Sequence, residues 1–272
     1  MTTRISGLPR RCVFCGGQPL TVEDVFPLWL GDYLGREPAY RVFSAGIGGG
    51  QRRGFRGLSM TARARRVCRD CNSGWMSSLE SEASALIKPL LNETLAIPLT
   101  GGSGGNLTLL ARWAMKTALM IQCVQRGSAI PPTVYEHFYA TQLPPPSPQC
   151  QMFLARHTKH GISDGASSIG WSVKGPPSPA GAFAYEGEMY GVTFWIANVV
   201  LQIIGYVPIV PAAGTFTLNY PSPYWGYVEQ FWPAIAGITW PLSRPVLDDP
   251  GLIAFSRALR GMLPSGASPG VV

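Results

Sequence analysis

Around residues 107–126 apolar side chains cover almost the whole circumference of a helical wheel, broken only by Arg112, Lys116, Gln122, Gln125 and Arg126. Asn106 before the run and Gly127 after it predict a capped helix over that span. Arg112 and Lys116, four apart, share one face, which reads as the solvated stripe of a core helix or as a phosphate contact. A second helical pattern starts at Asn72 and runs toward Ile87, with Pro89 and Pro98 expected to limit its continuation. Further on, Val192-Thr193-Phe194-Trp195-Ile196, the pair Ala197-Asn198 and then residues 199–207 predict two buried strands around a turn. No charged residue occurs between Glu188 and Glu229, yet Asn198, Gln202, Gly205 and Pro208 argue for buried strands rather than a membrane helix. Strand-like runs continue to about Tyr220, and a last helix is predicted near 248–262 from Asp248-Asp249-Pro250.

The connectors are distinctive. Gly101-Gly102-Ser103-Gly104-Gly105 reads as a flexible joint, whereas Pro144-Pro145-Pro146-Ser147-Pro148 and Gly175-Pro176-Pro177-Ser178-Pro179 are stiff. With 46% hydrophobic and only 14% charged residues, the chain of 272 residues has enough apolar material for a substantial core. The aromatics of 224–240 read as core more readily than as base-stacking surface, because their setting is nearly uncharged. No Walker loop, GxSxG elbow or internal repeat occurs.

Charge changes the picture. Residues 1–72 hold twelve arginines, no lysine and five acids, a net of +7, and the remainder of the chain is neutral. The densest part is Gln51-Arg52-Arg53-Gly54-Phe55-Arg56-Gly57 followed by Arg63-Ala64-Arg65-Arg66. Arginine forks grip phosphate oxygens in pairs, so Arg52, Arg53, Arg56, Arg63, Arg65 and Arg66 are candidate nucleic-acid contacts. Arg63 and Arg65 alternate with small residues, as the exposed face of a strand would. The competing reading is a solvated basic loop.

Two Cys-x-x-Cys pairs, Cys12/Cys15 and Cys68/Cys71, bracket this basic stretch. Four thiolates satisfy tetrahedral zinc and leave no open position, which predicts a structural metal. Gly16-Gly17 after the first pair suits a knuckle, and the second pair opens a helix whose dipole favours thiolates. Knuckle, intervening strands and helix together predict a treble clef. Four ordinary buried or redox cysteines are the alternative, but a redox pair usually accompanies a βαβ pattern, absent here. Cys123 and Cys150 read as structural thiols.

The segment Thr21-Val22-Glu23-Asp24-Val25-Phe26-Pro27-Leu28-Trp29-Leu30, between Cys12-x-x-Cys15 and Cys68-x-x-Cys71-Asn72-Ser73-Gly74-Trp75-Met76, resembles the HNH (ββα-metal) endonuclease superfamily over about residues 10–82. The resemblance implies cleavage of phosphodiester bonds with one Mg- or Mn-class ion, Glu23 and Asn72 as metal ligands, and a general base at position 24. Asp24 stands where the pattern has histidine. A carboxylate of pKa near 4 is a feeble base for water, so the resemblance implies a weakened enzyme. None of His137, His157 or His160 lies in the motif. Glu23-Asp24 also reads simply as a cap for a helix beginning at Val25.

The sequence thus predicts an α+β protein: a zinc module with a basic loop over 1–100, then a larger strand-rich mixed domain over 106–272. Its expected partner is nucleic acid, DNA first. Its expected metals are structural zinc and, if it is catalytic, Mg or Mn. The alternatives are a non-catalytic zinc module that binds nucleic acid or protein, and a zinc-stabilised scaffold. The start Met1-Thr2-Thr3-Arg4-Ile5-Ser6-Gly7 lacks a signal-like apolar run, and reduced cysteines suit the cytoplasm.

Overall fold

The computed structural model describes residues 11–35, 62–93, 96–125, 129–158, 165–174, 186–210, 222–234 and 236–258. Arg52, Arg53 and Arg56 lie outside them. Helices and antiparallel strands alternate irregularly, giving an α+β architecture.

Near the N-terminus, β1 (Leu20–Asp24) pairs antiparallel with β2 (Arg63–Cys68), placing Leu20 opposite Cys68 and Asp24 opposite Arg63. Between them in sequence, α1 (Leu28–Leu34) ends at Gly35. From β2 the chain turns directly into a short helix α2 (Arg69–Cys71), a turn over Asn72–Met76 that kinks at Gly74 (φ −94°, ψ −113°) and the long helix α3 (Ser77–Asn92). Helix α1 is held on α3 by the Tyr33 hydroxyl, which donates to the Lys88 carbonyl at 3.0 Å, and by the Lys88 ammonium 5.4 Å from the Trp29 ring.

Contrary to the sequence expectation, α3 passes through Pro89. Leu79, Ala83, Leu86, Ile87, Leu90 and Leu91 bury one stripe of this helix, and that packing outweighs the hydrogen bond Pro89 removes. The end of α3 is secured from outside. The Leu90 carbonyl, one of the last four without a helical partner, accepts from Trp240 Nε1 at 2.8 Å and Asn198 Nδ2 at 3.3 Å.

A short strand β3 (Ile97–Leu99) leads to α4 (Asn106–Val124) and α5 (Pro132–Thr141). Gly105, not Asn106, is the N-cap of α4. The Asn106 carboxamide turns back instead, accepting from the Thr100 backbone N–H and so closing the glycine-rich turn.

The remaining large element is a five-stranded antiparallel sheet of β4 (Cys150–Arg156), β5 (Gly165–Lys174), β6 (Glu186–Ile196), β7 (Val199–Val210) and β8 (Val228–Trp232), in the order β5-β6-β7-β4-β8. β6 and β7 form the predicted hairpin, with Ala197 in the left-handed region (φ 51°) at its turn. A separate strand β9 (Ile238–Trp240) pairs with β3, and α6 (Asp249–Ala258) closes the described chain.

The sheet has two apolar faces, as its period of two requires. Met152, Leu154, Val192, Phe194, Leu201 and Ile203 face α4 and the N-terminal elements, while Phe153, Trp195, Val200 and Ile204 face Leu252 and Phe255 of α6. The first core is continuous from Cys12 and Phe14 through α3 and α4 to Trp240, so it crosses the glycine-rich turn. Phe14 and Trp75 also meet Tyr135 and Phe138 of α5, the Phe14–Trp75 and Trp75–Phe138 rings lying edge-on at 5.2 and 5.7 Å.

Candidate metal centre and basic face

The turn carrying Cys12 and Cys15 folds under its own sulfurs. Gly16 N donates to the Cys12 carbonyl at 2.9 Å and Cys12 N to the Gly17 carbonyl at 3.0 Å. Gly16 sits at φ +73°, and a Cβ on Gly17 would lie 3.1 Å from Cys15 Sγ and 3.5 Å from Cys68 Sγ. Val13 N donates to the Arg66 carbonyl and Arg69 N to the Pro19 carbonyl, fastening the turn to β2 and the start of α2.

These bonds bring Cys12, Cys15, Cys68 and Cys71 together, with their sulfurs all within 4.8 Å of one another. The Cys15–Cys68 and Cys15–Cys71 sulfur separations are 3.4 and 3.5 Å. Tetrahedral zinc with bonds of about 2.3 Å needs sulfur separations of about 3.8 Å, so the cluster fits a zinc ion. Gly17 N, 3.3 Å from Cys15 Sγ, supplies a hydrogen bond suited to a thiolate. At Cys12 burial raises the thiol pKa, but hydrogen bonds from the backbone of Cys15, Cys68 and Phe14 together bring it below its ordinary value. Burial pushes the Cys15 and Cys71 thiols upward. A bound zinc reverses that, since a coordinating thiol loses its proton. Cys123 and Cys150 take no part in the cluster, and burial pushes Cys123 up to about 11 and Cys150 further, keeping both as thiols.

Glu23, Asp24 and Asn72 lie on neighbouring elements, and each has a partner within the fold. The Asn72 side chain donates from Nδ2 to Thr21 Oγ1 and to the Val22 carbonyl, both at 3.1 Å, stitching the kinked turn before α3 to β1. Asp24 Oδ1 accepts from Arg63 Nε at 2.7 Å across the β1–β2 pair. Glu23 points the other way, into the protein, where Lys116 Nζ donates to its Oε1 at 3.0 Å. The same ammonium donates to Glu80 Oε1. Lys116 is completely buried and the Glu23 side chain is 8% exposed. Burial raises the Glu23 carboxyl above its ordinary value, partly countered by Lys116 and reinforced by Glu80 and Asp24. Among the described residues, the four cysteines are the one cluster of three or more His, Cys, Asp or Glu side chains able to surround a metal.

Lys116 therefore departs from the expected solvated stripe. Arg112 does lie partly open, donating to the Gln142 carbonyl at 3.1 Å and facing Glu82 at 3.6 Å, but Lys116 one turn on is sealed in. The available signal was the apolar circumference of 107–126: a helix hydrophobic all round is buried all round. Glu80 is a residue the sequence pattern did not single out, because one acid in the first turn of a helix has an ordinary reading as a partner for the helix dipole.

The arginines divide by face. Arg63 and Arg65 are exposed on β2, whereas Arg66 is half-buried, its Nε enclosed. Arg11 and Arg69 are also exposed near the cysteine cluster in sequence. His157 is bonded to Asp249 of α6 at 2.9 Å, and His160 lies outside the described residues. No helix of the described residues is long and apolar enough to cross a membrane. No protein-family model, curated protein or solved structure matches this chain.

Proposed function

We propose that this chain is a zinc-stabilised nucleic-acid-binding protein, in which a treble-clef-type module presents arginines to a phosphate backbone. Cys12, Cys15, Cys68 and Cys71 would hold the zinc, which supplies a rigid closed centre and no open coordination position. The carrying observation is the solvent face of β2: Arg63 (53% exposed) and Arg65 emerge from the strand that ends in Cys68, within the segment that owns the whole +7 charge. Cys68 and Cys71 anchor that strand and the helix after it, so their hold on the metal orients the arginine face. Arg52, Arg53 and Arg56 precede the strand in sequence and extend the same basic run. Guanidinium groups neutralise phosphates and release counterions, which makes binding salt-dependent.

The test is fluorescence anisotropy with a labelled DNA duplex, and a matching RNA, across a salt series. Arg63→Ala with Arg65→Ala should weaken binding and flatten the plot of log affinity against log salt by about 0.9 for each phosphate no longer neutralised. A variant that binds like the parent at every salt concentration reduces the face to a solvated surface.

A metal-dependent HNH-type nuclease is the second reading, favoured by one arrangement: β1, β2 and the following helix form a ββα unit in which Asn72 bonds back to the strand that carries Glu23 and Asp24. In that reading Glu23 and Asn72 would ligate Mg or Mn and Asp24 would take the general-base place. The inward turn of Glu23 onto Lys116 and the Asp24–Arg63 pair favour the binding reading over it. Plasmid nicking with Mg or Mn distinguishes them. Cleavage by the parent that disappears in Asp24→Ala carries the nuclease reading. Cleavage seen only in Asp24→His describes a disabled nuclease kept as a binder, and none in either leaves binding alone.

A further inference from the structure

Lys116 is an unusual residue for its position. Its neighbours along α4, from Leu110 through Ile121, are almost all buried and apolar, and its own side chain has no exposed surface. An ammonium there is tolerated only with charged hydrogen-bond partners, because transferring it from water costs several kcal/mol. The partners come from two other elements: Glu23 from β1 and Glu80 from α3. One positive charge faces two carboxylates, of side chains 8% (Glu23) and 18% (Glu80) exposed. Two carboxylates converging from different elements on a single cation is also how a small divalent ion is held, with waters completing its shell.

We propose that the Lys116 ammonium is the resident cation of the Glu23–Glu80 pair, an autoinhibitory contact that keeps a divalent ion from binding there. The ammonium is covalently tethered, so its local concentration cannot be matched by free Mg in solution. Its Nζ lies within hydrogen-bonding distance of both carboxylates, where an ion would have to sit. Asp24, beside Glu23 in the chain, is meanwhile committed to Arg63 and supplies no third acidic ligand. Metal binding at Glu23 therefore requires Lys116 to leave. This inference concerns cation occupancy and stands apart from the arginine face, so DNA binding can survive its failure.

The experiment uses the full zinc-loaded chain and reads free Mn²⁺ by electron paramagnetic resonance, with zinc content measured in parallel. The parent should take up no Mn²⁺ at the site. Lys116→Ala should take up one equivalent, at least about tenfold more tightly than the parent, and Lys116→Ala/Glu80→Gln should lose that gain. A folded Lys116→Ala that takes up none overturns the proposal. So does uptake by the parent that Glu23→Gln abolishes. If Lys116→Ala folds poorly alone, its melting temperature should rise with Mn²⁺ or ethylammonium and not with tetramethylammonium. Absence of rescue by either cation overturns the proposal equally.

Discussion

Replacing Lys116 by methionine keeps most of the side-chain volume and removes only the charge, which isolates the contribution of the ammonium. At 3.0 Å, and with an effective dielectric constant of about 20, the attraction between Lys116 and Glu23 alone is about 5 kcal/mol. Glu80 adds a second attraction, and the repulsion between the two carboxylates, together with desolvation of all three groups, offsets much of the total. What decides the outcome is the state left behind. In Lys116→Met two carboxylates share a buried site with no cation, and breaking buried pairs in this way costs about 3–5 kcal/mol. For a chain of this size that corresponds to a fall in Tm of about 10 °C. Urea unfolding of zinc-loaded protein, followed by far-UV circular dichroism, measures it. Adding Glu23→Gln and Glu80→Gln to Lys116→Met should recover most of the loss, because no uncompensated charge then remains. A loss below about 1 kcal/mol in Lys116→Met, or no recovery in the triple variant, would refute the electrostatic account.

Elemental analysis of the parent should give about one equivalent of zinc, and Cys68→Ser should abolish it and loosen the β1–β2 pair, since three ligands cannot close the site. Gly17→Ala places a methyl 3.1 Å from Cys15 Sγ and should weaken zinc retention about tenfold in a chelator competition, with the overall fold intact. Asn72→Ala removes two hydrogen bonds to β1 and should cost about 1–2 kcal/mol in urea unfolding without zinc loss. The pH dependence has a definite sign. Because the Glu23 pKa is raised in the folded protein, the native state binds the extra proton, and this contribution is present below the ordinary 4.5 and fades as pH rises through the raised value. Relative to Glu23→Gln, the parent should therefore lose stability as pH increases across that window.

The parts of this fold that local sequence could reveal are those built from neighbours in the chain. Each Cys-x-x-Cys pair announces half of the four-cysteine cluster by spacing alone, and the second half follows from a tetrahedral metal's need for four ligands. The β6–β7 hairpin was legible because a run without charges that contains Asn198 and Gly205 suits paired buried strands better than a spanning helix. Arg63 and Arg65 were legible as one strand face for the same reason of periodicity. The central pairing was not. Lys116 and Glu23 are 93 positions apart, and only the packing of α4 against β1 and α3 brings them together. Pro89 misled for the converse reason: its local cost is real, but six buried side chains on the same helix override it. Arg66, grouped by composition with the candidate phosphate-contacting arginines, turns inward because strand alternation places it on the face opposite Arg65.

Leu90 gives the architecture a practical use. Helix α3 spans about 24 Å, with the clustered Cys68 and Cys71 just before it, across a kink at Gly74, and the doubly accepting Leu90 carbonyl near its end. One of the donors to that carbonyl is the indole of Trp240, a fluorophore whose emission depends on its hydrogen bonding. If loss of a metal from the cysteine cluster loosened α3 on its packing, the Trp240 indole would report it as a change in emission. The part of the emission change on chelation that Trp240→Phe removes would turn a helix terminus into a readout for following metal exchange in real time, without any attached label.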